Sequence, residues 1–185
     1  KNAEVELAAL ILCLSEGCKV IANAVRNAGL LNLTGSLEST NVQGAIVQKL
    51  DDFSNRVLMD YCQSTESCAG YLSEENEGIV TLHKNGRFVI SVDPLDGSSN
   101  IDVAAPIGTI FSIHERISDC PNEVSEADFL QSGKSTKAAG FVLYGSSTLL
   151  VLSTGNGTVV FTLDTQSAEF KISNSALTIP ADGKI

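Results

Sequence analysis

Apolar side chains near the start of the chain recur at alternating intervals of four and three residues. They are Leu7, Ile11, Leu14, Cys18, Ile21 and Val25. This spacing predicts an amphipathic helix, with Gly29 placed as its C-cap. Residues 30–48 are rich in Gly, Ser, Thr and Asn, which predicts a long loop of the kind that often serves function. A second helix is predicted after this loop, with Asp51 and Asp52 at its N-terminal end.

From residue 68 onward the pattern changes to short β-rich runs separated by turn residues. The predicted strands are 68–73, 78–83, 87–93, 108–115, 138–145, 148–154, 157–163 and 168–172. Asn85-Gly86 is a hairpin signal between the second and third of them. The polar segment 118–136 predicts a surface excursion. Helices followed by strands predict an α+β fold, in which the helices pack on a largely antiparallel sheet.

Composition and charge restrict the class of protein. With 185 residues, of which 43% are hydrophobic, the chain can bury a core as one domain or as half of a larger one. A net charge of −10 argues against binding to nucleic acid or to an anionic membrane surface, because both need a basic footprint. No apolar run approaches the roughly 20 residues of a membrane span. The five cysteines form no CxxC motif, which indicates a reducing compartment.

The segment VISVDPLDGSSNID, residues 89–102, joins a buried-strand pattern to a cluster of polar residues. Asp93 lies at the predicted end of the strand, Pro94 forces the chain to turn, and Asp96 follows on that turn. Two carboxylates on a rigid turn, with the carbonyl of Leu95 between them, are ligands of the kind that Mg²⁺ prefers.

The next three residues, Gly97, Ser98 and Ser99, have the chemistry of a phosphate site. Approachable backbone N–H groups, two hydroxyls and the start of a short helix all favour an anion. A simpler interpretation remains open, because both serines are also ordinary helix caps.

A second acidic cluster, residues 73–77 (SEENE), closes the predicted strand 68–73. If this strand end neighbours that of Asp93, then Glu74, Asp93 and Asp96 converge on one metal site. The alternative is a solvated acidic turn, and DPLDG alone fits a turn with an Asx cap. The predicted hairpin between the two segments favours the metal site over these alternatives.

A phosphomonoester is a dianion, and an acidic site repels it. The Coulomb repulsion is about 1 to 4 kcal/mol for each close pair at effective dielectrics of about 80 to 20. Cations must therefore be present first, and two or more Mg²⁺ ions also orient the phosphate and lower the pKa of a bound water.

Several segments together resemble fructose-1,6-bisphosphatase of the common Mg²⁺-dependent class. They are DPLDGSSNID, LSEENE, QKLDDFSN, IGTIFSI and AAGFVLYGSSTLLVL. The central motif is shared with the wider lithium-sensitive phosphatase superfamily, and the continuation at 98–102 and the STNVQG loop narrow the match. The resemblance implies a layered α/β sandwich of the sugar phosphatase type. It also implies that residues 1–185 are the N-terminal domain and that a second, sugar-binding half is absent from this chain.

The resemblance implies a role for each candidate residue. The implied metal ligands are Glu74, Asp93, the carbonyl of Leu95, and Asp96. The acids implied to hold and deprotonate the attacking water are Asp51 and Glu75. The residues implied to surround the 1-phosphate are Gly97, Ser98 and Ser99. For Asp51 the residues alone favour a different role, that of an acid stabilising the N-terminal end of a helix.

The implied reaction is in-line attack of water on the 1-phosphate of fructose 1,6-bisphosphate, which yields fructose 6-phosphate and phosphate. The implied cofactor is Mg²⁺, two or more ions per site, or Mn²⁺. A cytoplasmic homotetramer is expected by resemblance, with a plastid location as the alternative. Sedoheptulose-1,7-bisphosphatase, a close relative, is the alternative activity, and a non-catalytic family member is the alternative class.

The chain departs from the family pattern at three places. Ala45 stands where relatives often have an acid of a mobile loop, which puts loop-dependent activation in doubt. Residues 4–8 contain two acids and no threonine where AMP-inhibited relatives have a phosphate-binding turn, so weak or absent AMP inhibition is expected although Arg87 occupies a basic contact position. Cys120 is the single cysteine in 118–136, so thioredoxin-type control is not expected.

Overall fold

Among the described residues, two long helices, α1 (Ala3–Arg26) and α2 (Val42–Gln63), open the fold. The computed structural model of the chain describes residues 2–28, 42–118 and 123–182. The first predicted helix is confirmed: its apolar positions are largely buried, and the side chain of Asn2 caps it by accepting a 3.0 Å hydrogen bond from the N–H of Glu4. The helix ends at Arg26, and the predicted cap Gly29 lies outside the described residues.

Helix α2 begins earlier than its apolar pattern predicts. Residues 42–48, assigned to a loop, are helical, whereas 30–41 lie outside the described residues. Gly44 and the polar residues around it obscure the helical period in this stretch. As a result Asp51 and Asp52 lie well inside the helix, more than two turns beyond Val42, so their placement at its N-terminal end was wrong.

In the part of the chain that the structure describes, eight strands form one mixed sheet in the order β2-β1-β3-β4-β5-β6-β7-β8. They are β1 (Cys68–Ser73), β2 (Val80–Thr81), β3 (Phe88–Asp96), β4 (Ile107–Glu115), β5 (Ala138–Tyr144), β6 (Thr148–Ser153), β7 (Thr158–Asp164) and β8 (Glu169–Asn174). All eight predicted strands are present, and every pairing is antiparallel except that of β1 with β3.

The predicted hairpin at Asn85-Gly86 is wrong. Strand β2 pairs with β1 and not with β3, and the chain then crosses β1 to place β3 on its other side. Gly86 serves close packing here, since a Cβ at this position would lie 2.4 Å from the backbone nitrogen of Ala69. The hairpin was expected to bring the two acidic segments together. The parallel pairing of β1 with β3 does this instead, because neighbouring parallel strands run towards the same edge of the sheet.

The main core lies between the two helices and one face of the sheet. It contains Leu10, Leu14 and Ile21 from α1, Leu58 from α2 and Ile90 and Ile113 from the sheet, and each of these side chains is at most 2% exposed. On the opposite face Ile110 and Phe141 lie side by side in β4 and β5 and remain 48% and 42% exposed. The helices therefore cover one side of the sheet, which confirms the α+β layering.

The segment 118–136 is less superficial than its polarity predicts. It contains a short helix, α3 (Glu126–Phe129), in which Asp128 and Phe129 are buried. Residues 119–122, including Cys120, lie outside the described residues. The four described cysteines are free thiols. In the described ranges no helix is both long and apolar enough to cross a bilayer.

Candidate active site

The parallel pairing of β1 with β3 brings two acidic turns together. Ser73 is the register partner of Val92, and the N–H of Glu74 donates a 3.3 Å hydrogen bond to the carbonyl of Val92. Glu74 follows the end of β1 and Asp93 follows Val92 within β3, so the two carboxylates lie at the same edge of the sheet. The predicted convergence of Glu74 with Asp93 is confirmed, whereas the placement of Asp93 at the strand end was wrong, because β3 continues to Asp96.

Strand β3 continues past Asp93 through a bulge. Asp93 pairs with Ile110 and Asp96 pairs with Gly108, so the register breaks between the two aspartates. The N–H of Leu95 donates a 3.1 Å hydrogen bond to Oδ1 of Asp93, and the Leu95 side chain is anchored in the core with 4% exposure. Asp96 is exposed. The turn predicted at DPLD is thus a rigid bulge inside a strand.

Gly97 connects the bulge to a short helix. Its φ of 74° lies in the left-handed region, which glycine adopts without strain, and a 3₁₀ helix (Ser98–Val103) begins directly after it. The short helix predicted after the two aspartates is confirmed. Ser98 is partly buried and Ser99 is exposed, and both follow Asp96 and Gly97 directly in the chain.

Asp51 reaches this edge from helix α2. The hydroxyl of Ser98 donates a 3.2 Å hydrogen bond to Oδ2 of Asp51, which joins the helix to the start of the 3₁₀ helix. Because Asp51 lies in the body of α2, the helix dipole does not account for a carboxylate there. The alternative of an acid that merely stabilises a helix end loses its structural basis.

The carboxylates are close enough to perturb one another. Burial raises the pKa of Asp93 to about 6, with further increases from the nearby charges of Glu74 and Asp96. Burial also raises the pKa of Asp51, and the charges of Asp52 and Glu74 add to it. For Glu75 the pKa is raised by burial and then by the charge of Asp51. Three segments of the chain thus contribute to one negatively charged patch.

Among the described residues, none of these carboxylates forms an ion pair with a Lys or Arg. Every donor in the patch is an oxygen, which suits a hard divalent cation. In the described part of the chain, no group of three or more Asp, Glu, His or Cys side chains is arranged closely enough to coordinate one metal ion. The patch therefore suits Mg²⁺ in three respects: its ligand atoms are oxygens, they lie together at one edge of the sheet, and their negative charge is not paired with a Lys or Arg of the described ranges.

A second set of polar contacts, which the sequence did not indicate, fixes the acidic turn after β1. Asn55 of helix α2 donates a 2.9 Å hydrogen bond from Nδ2 to Oδ1 of Asn76, and the hydroxyl of Tyr71 donates to Oδ1 of Asn55 at 3.1 Å. The N–H of Glu75 donates to the Ser73 hydroxyl at 3.2 Å. Isolated Asn and Tyr residues carry no sequence signal for such contacts.

An open groove of about 880 Å³ adjoins the patch on the uncovered face of the sheet. Its lining includes Glu74, Asp93, Ile110, Phe141 and Val151. The side chain of Ala45 and residues 39–41 of the STNVQG segment lie outside the described residues.

Comparison with known proteins identifies one family that shares the sequence pattern of this chain. The sequence profile of the fructose-1-6-bisphosphatase N-terminal domain matches residues 1–175. The chain is 47% identical over 186 residues to the class 1 fructose-1,6-bisphosphatase of Sulfurihydrogenibium sp. (strain YO3AOP1), covering 100% of this chain and 56% of that protein. It is 44% identical over 176 residues to the class 1 enzyme of Shewanella sp. (strain W3-18-1), covering 95% of this chain and 52% of that one.

A solved structure extends the likeness to three dimensions. The crystal structure of Leishmania major fructose-1,6-bisphosphatase in holo form superposes with a TM-score of 0.85 at 31% identity, covering 99% of this chain and 56% of that one. The chain spans about half the length of the curated relatives it matches. By its sequence profile and its fold, the chain belongs to the family of fructose-1-6-bisphosphatase N-terminal domains.

Proposed function

We propose that this chain carries the metal and 1-phosphate site of a Mg²⁺-dependent fructose-1,6-bisphosphatase, within a protein whose second half contributes the sugar contacts. The observation that supports this most is the convergence of carboxylates from helix α2, the turn after β1 and the bulge of β3, directly beside the 3₁₀ helix at Ser98. Family membership supplies the substrate class. The proposed products are fructose 6-phosphate and phosphate.

The proposed cation ligands are Glu74, Asp93, Asp96 and the carbonyl of Leu95. When bound, Mg²⁺ ions, two or more per site, offset the negative charge and polarise the phosphate oxygens, and Mn²⁺ has compatible chemistry. The hydrogen bond from Leu95 to Asp93 and the buried Leu95 side chain hold the bulge on which these ligands lie. Removing one carboxylate should therefore weaken cation binding without unfolding the sheet.

Asp51 and Glu75 are the proposed acids that position the attacking water and accept its proton. Burial raises the pKa of both carboxyls, which moves each towards the range where proton acceptance near neutral pH is efficient. The hydrogen bond from Ser98 orients Asp51 towards the start of the 3₁₀ helix. Gly97, Ser98 and Ser99 would contact the phosphate through N–H groups and hydroxyls.

The contacts of Arg87 also support the proposal of weak or absent AMP inhibition. Its Nε donates a 2.8 Å hydrogen bond to Glu6 of helix α1, and its Nη1 donates at 3.3 Å to Glu115. Two carboxylates already neutralise the one basic side chain expected to meet a nucleotide phosphate. A homo-oligomer, with a tetramer expected by resemblance, and a cytoplasmic location belong to the same proposal.

The test is phosphate release by the full-length protein from fructose 1,6-bisphosphate and sedoheptulose 1,7-bisphosphate, with Mg²⁺, with a chelator and with Li⁺. Turnover of the fructose substrate that requires Mg²⁺ and is inhibited by Li⁺ supports the proposal. Preference for the seven-carbon substrate would change the substrate and keep the chemistry. Turnover without metal would overturn the mechanism, and no turnover of either substrate would indicate a non-catalytic member.

Two variants, one of them with a matched control, test the residue roles. Asp51→Asn should lower kcat by about 10²- to 10⁴-fold, the range of a lost general base. Asp60→Asn changes an exposed acid further along the same helix and should leave kcat unchanged. Asp96→Asn should raise the Mg²⁺ concentration needed for half activity, and full activity at the wild-type Mg²⁺ concentration would exclude Asp96 as a ligand.

A further inference from the structure

Two buried hydroxyl groups lie beneath the β3 bulge and have no role in the chemistry described above. Thr109 of β4 is 0% exposed and Tyr144 of β5 is 5% exposed. Their hydroxyl oxygens are 2.7 Å apart. Burying two hydroxyls costs free energy unless each finds a partner, and apolar residues of similar shape would avoid that cost. The pair therefore needs an explanation.

Thr109 stands opposite the break in the β3–β4 register. Its neighbours Ile110 and Gly108 pair with Asp93 and Asp96, so Pro94 and Leu95 together face this single residue. A bulge leaves backbone groups without regular ladder partners. Thr109 supplies one, because its hydroxyl donates a 2.8 Å hydrogen bond to the carbonyl of Pro94.

The direction of each hydrogen bond follows from the number of protons. The Thr109 hydroxyl has one proton and gives it to Pro94, so the Tyr144 hydroxyl must donate to Thr109. The thiol of Cys18 in helix α1 contacts both hydroxyls, and burial raises its pKa to about 12, so it remains a protonated thiol. The bulge is thus connected through buried side chains to the helix that covers the sheet.

We propose that Thr109, held in place by Tyr144, is a positioning residue that fixes the spacing of Asp93 and Asp96 through the carbonyl of Pro94. The inference rests on the proposed function, because the two aspartates are its proposed metal ligands. Thr109 itself touches neither substrate nor metal. Residues that orient metal ligands in this way typically change metal affinity or activity by about 10- to 100-fold when they are replaced.

The variants separate the hydroxyl from the shape of the side chain. Thr109→Val removes the hydroxyl that donates to Pro94 and keeps the branched shape, whereas Thr109→Ser keeps that hydroxyl. Tyr144→Phe removes the hydroxyl that donates to Thr109. Ser15→Ala is the matched control, since the Ser15 hydroxyl also donates a 2.8 Å hydrogen bond to a backbone carbonyl, that of Leu12, within helix α1.

Three measurements on the full-length protein test the inference. The first is hydrogen exchange in a peptide covering residues 93–99, which needs neither metal nor substrate. The second is Mn²⁺ affinity by electron paramagnetic resonance, which needs no substrate. The third is kcat and KM for fructose 1,6-bisphosphate. Because the first two do not depend on turnover, the inference can fail or stand independently of the proposed activity.

Thr109→Val is expected to speed exchange at 93–99, to weaken Mn²⁺ binding by about 10-fold or more and to lower kcat by a similar factor while KM changes little. Thr109→Ser should restore all three, and Ser15→Ala should change none. If Thr109→Val does not fold, Tyr144→Phe should show the same pattern at smaller amplitude. Unchanged exchange and Mn²⁺ affinity in the folded variants, or equal effects of Ser15→Ala, would overturn the inference.

Discussion

Replacement of Asp128 by asparagine should destabilise the fold without disturbing the site. The Asp128 side chain is 0% exposed, and its carboxylate accepts four hydrogen bonds. Oδ1 accepts from the N–H groups of Ile117 (2.9 Å) and Ser118 (2.7 Å), and Oδ2 accepts from the N–H (2.8 Å) and hydroxyl (3.2 Å) of Ser125. An asparagine would turn one of these acceptors into a donor that faces other donors.

The pKa of this carboxyl sets the magnitude. Burial alone would raise the pKa of Asp128, but the hydrogen bonds from Ser125, Ser118 and Ile117 outweigh it and lower the pKa from 3.8 to about 2. At about 1.4 kcal/mol per pH unit, the charged carboxylate stabilises the folded state by about 2 to 3 kcal/mol. We expect Asp128→Asn to lose about 2 to 4 kcal/mol, because a buried donor without an acceptor adds its own cost.

Because the folded-state pKa is depressed, this stabilisation is present in full above the unfolded-state value near 4 and is lost as the pH falls towards 2. Urea unfolding of wild type and Asp128→Asn should therefore differ most at neutral pH, and the difference should shrink below pH 4. Asp164→Asn is the matched control: that carboxylate accepts from the N–H of Gln166 and the hydroxyl of Ser167 and forms an ion pair with Lys171. It lies at the solvent-exposed β7–β8 turn, where solvent screens these interactions, so its loss should matter much less.

Two results would refute this reasoning. One is a loss for Asp128→Asn no larger than that for Asp164→Asn. The other is a difference from wild type that persists unchanged to pH 3. Phosphate release by Asp128→Asn, measured where the protein is fully folded, should remain at the wild-type level.

Three further predictions concern the site and the sheet. Because the pKa of Asp93 without metal is about 6, Mg²⁺ affinity should fall about tenfold per pH unit below that value as the proton competes; calorimetry in buffers of different ionisation enthalpy would detect the released proton, and affinity independent of pH between 5 and 7 would contradict this. Ser98→Ala removes a hydrogen bond that lowers the pKa of Asp51, so the acid limb of the pH profile of kcat should move to higher pH, and an unmoved limb would exclude Asp51 as the titrating base. Gly86→Ala puts a Cβ 2.4 Å from the β1 backbone and should cost about 1 to 3 kcal/mol or more in urea unfolding, whereas Gly78→Ala, with nothing within 4 Å, should cost far less.

Periodicity was sufficient to predict helix α1, the body of α2 and the eight strands of this fold. Apolar residues recur at intervals of four and three along α1, and short β-rich runs follow residue 68. Both patterns arise because the folded chain buries these side chains in its core. The convergence of Glu74 with Asp93 was predicted from a hairpin that does not form, and it arises instead from the parallel pairing of β1 with β3. Their ligand roles depend on the family resemblance and stay predictions.

Pairing and tertiary contacts were not predictable from local pattern. Asn85-Gly86 has the composition of a hairpin turn, yet its glycine is needed for contact with β1, and sequence does not distinguish these two uses. The start of α2 was missed because Gly44 interrupts the period. Thr109 and Tyr144 carry no sequence signal for their contact. Each looks like an ordinary strand residue until the bulge opposite Thr109 is known.

The parallel pairing of β1 with β3 also bears on how this chain folds. The two acidic turns are separated in sequence by β2 and the crossing segment, so they meet only after Ser73 and Val92 have paired. A chain without that pairing holds its carboxylates apart and has no site at which a cation binds tightly. Divalent metal should therefore slow unfolding far more than it speeds refolding, since it recognises a contact that is made across the sheet and not within any local segment.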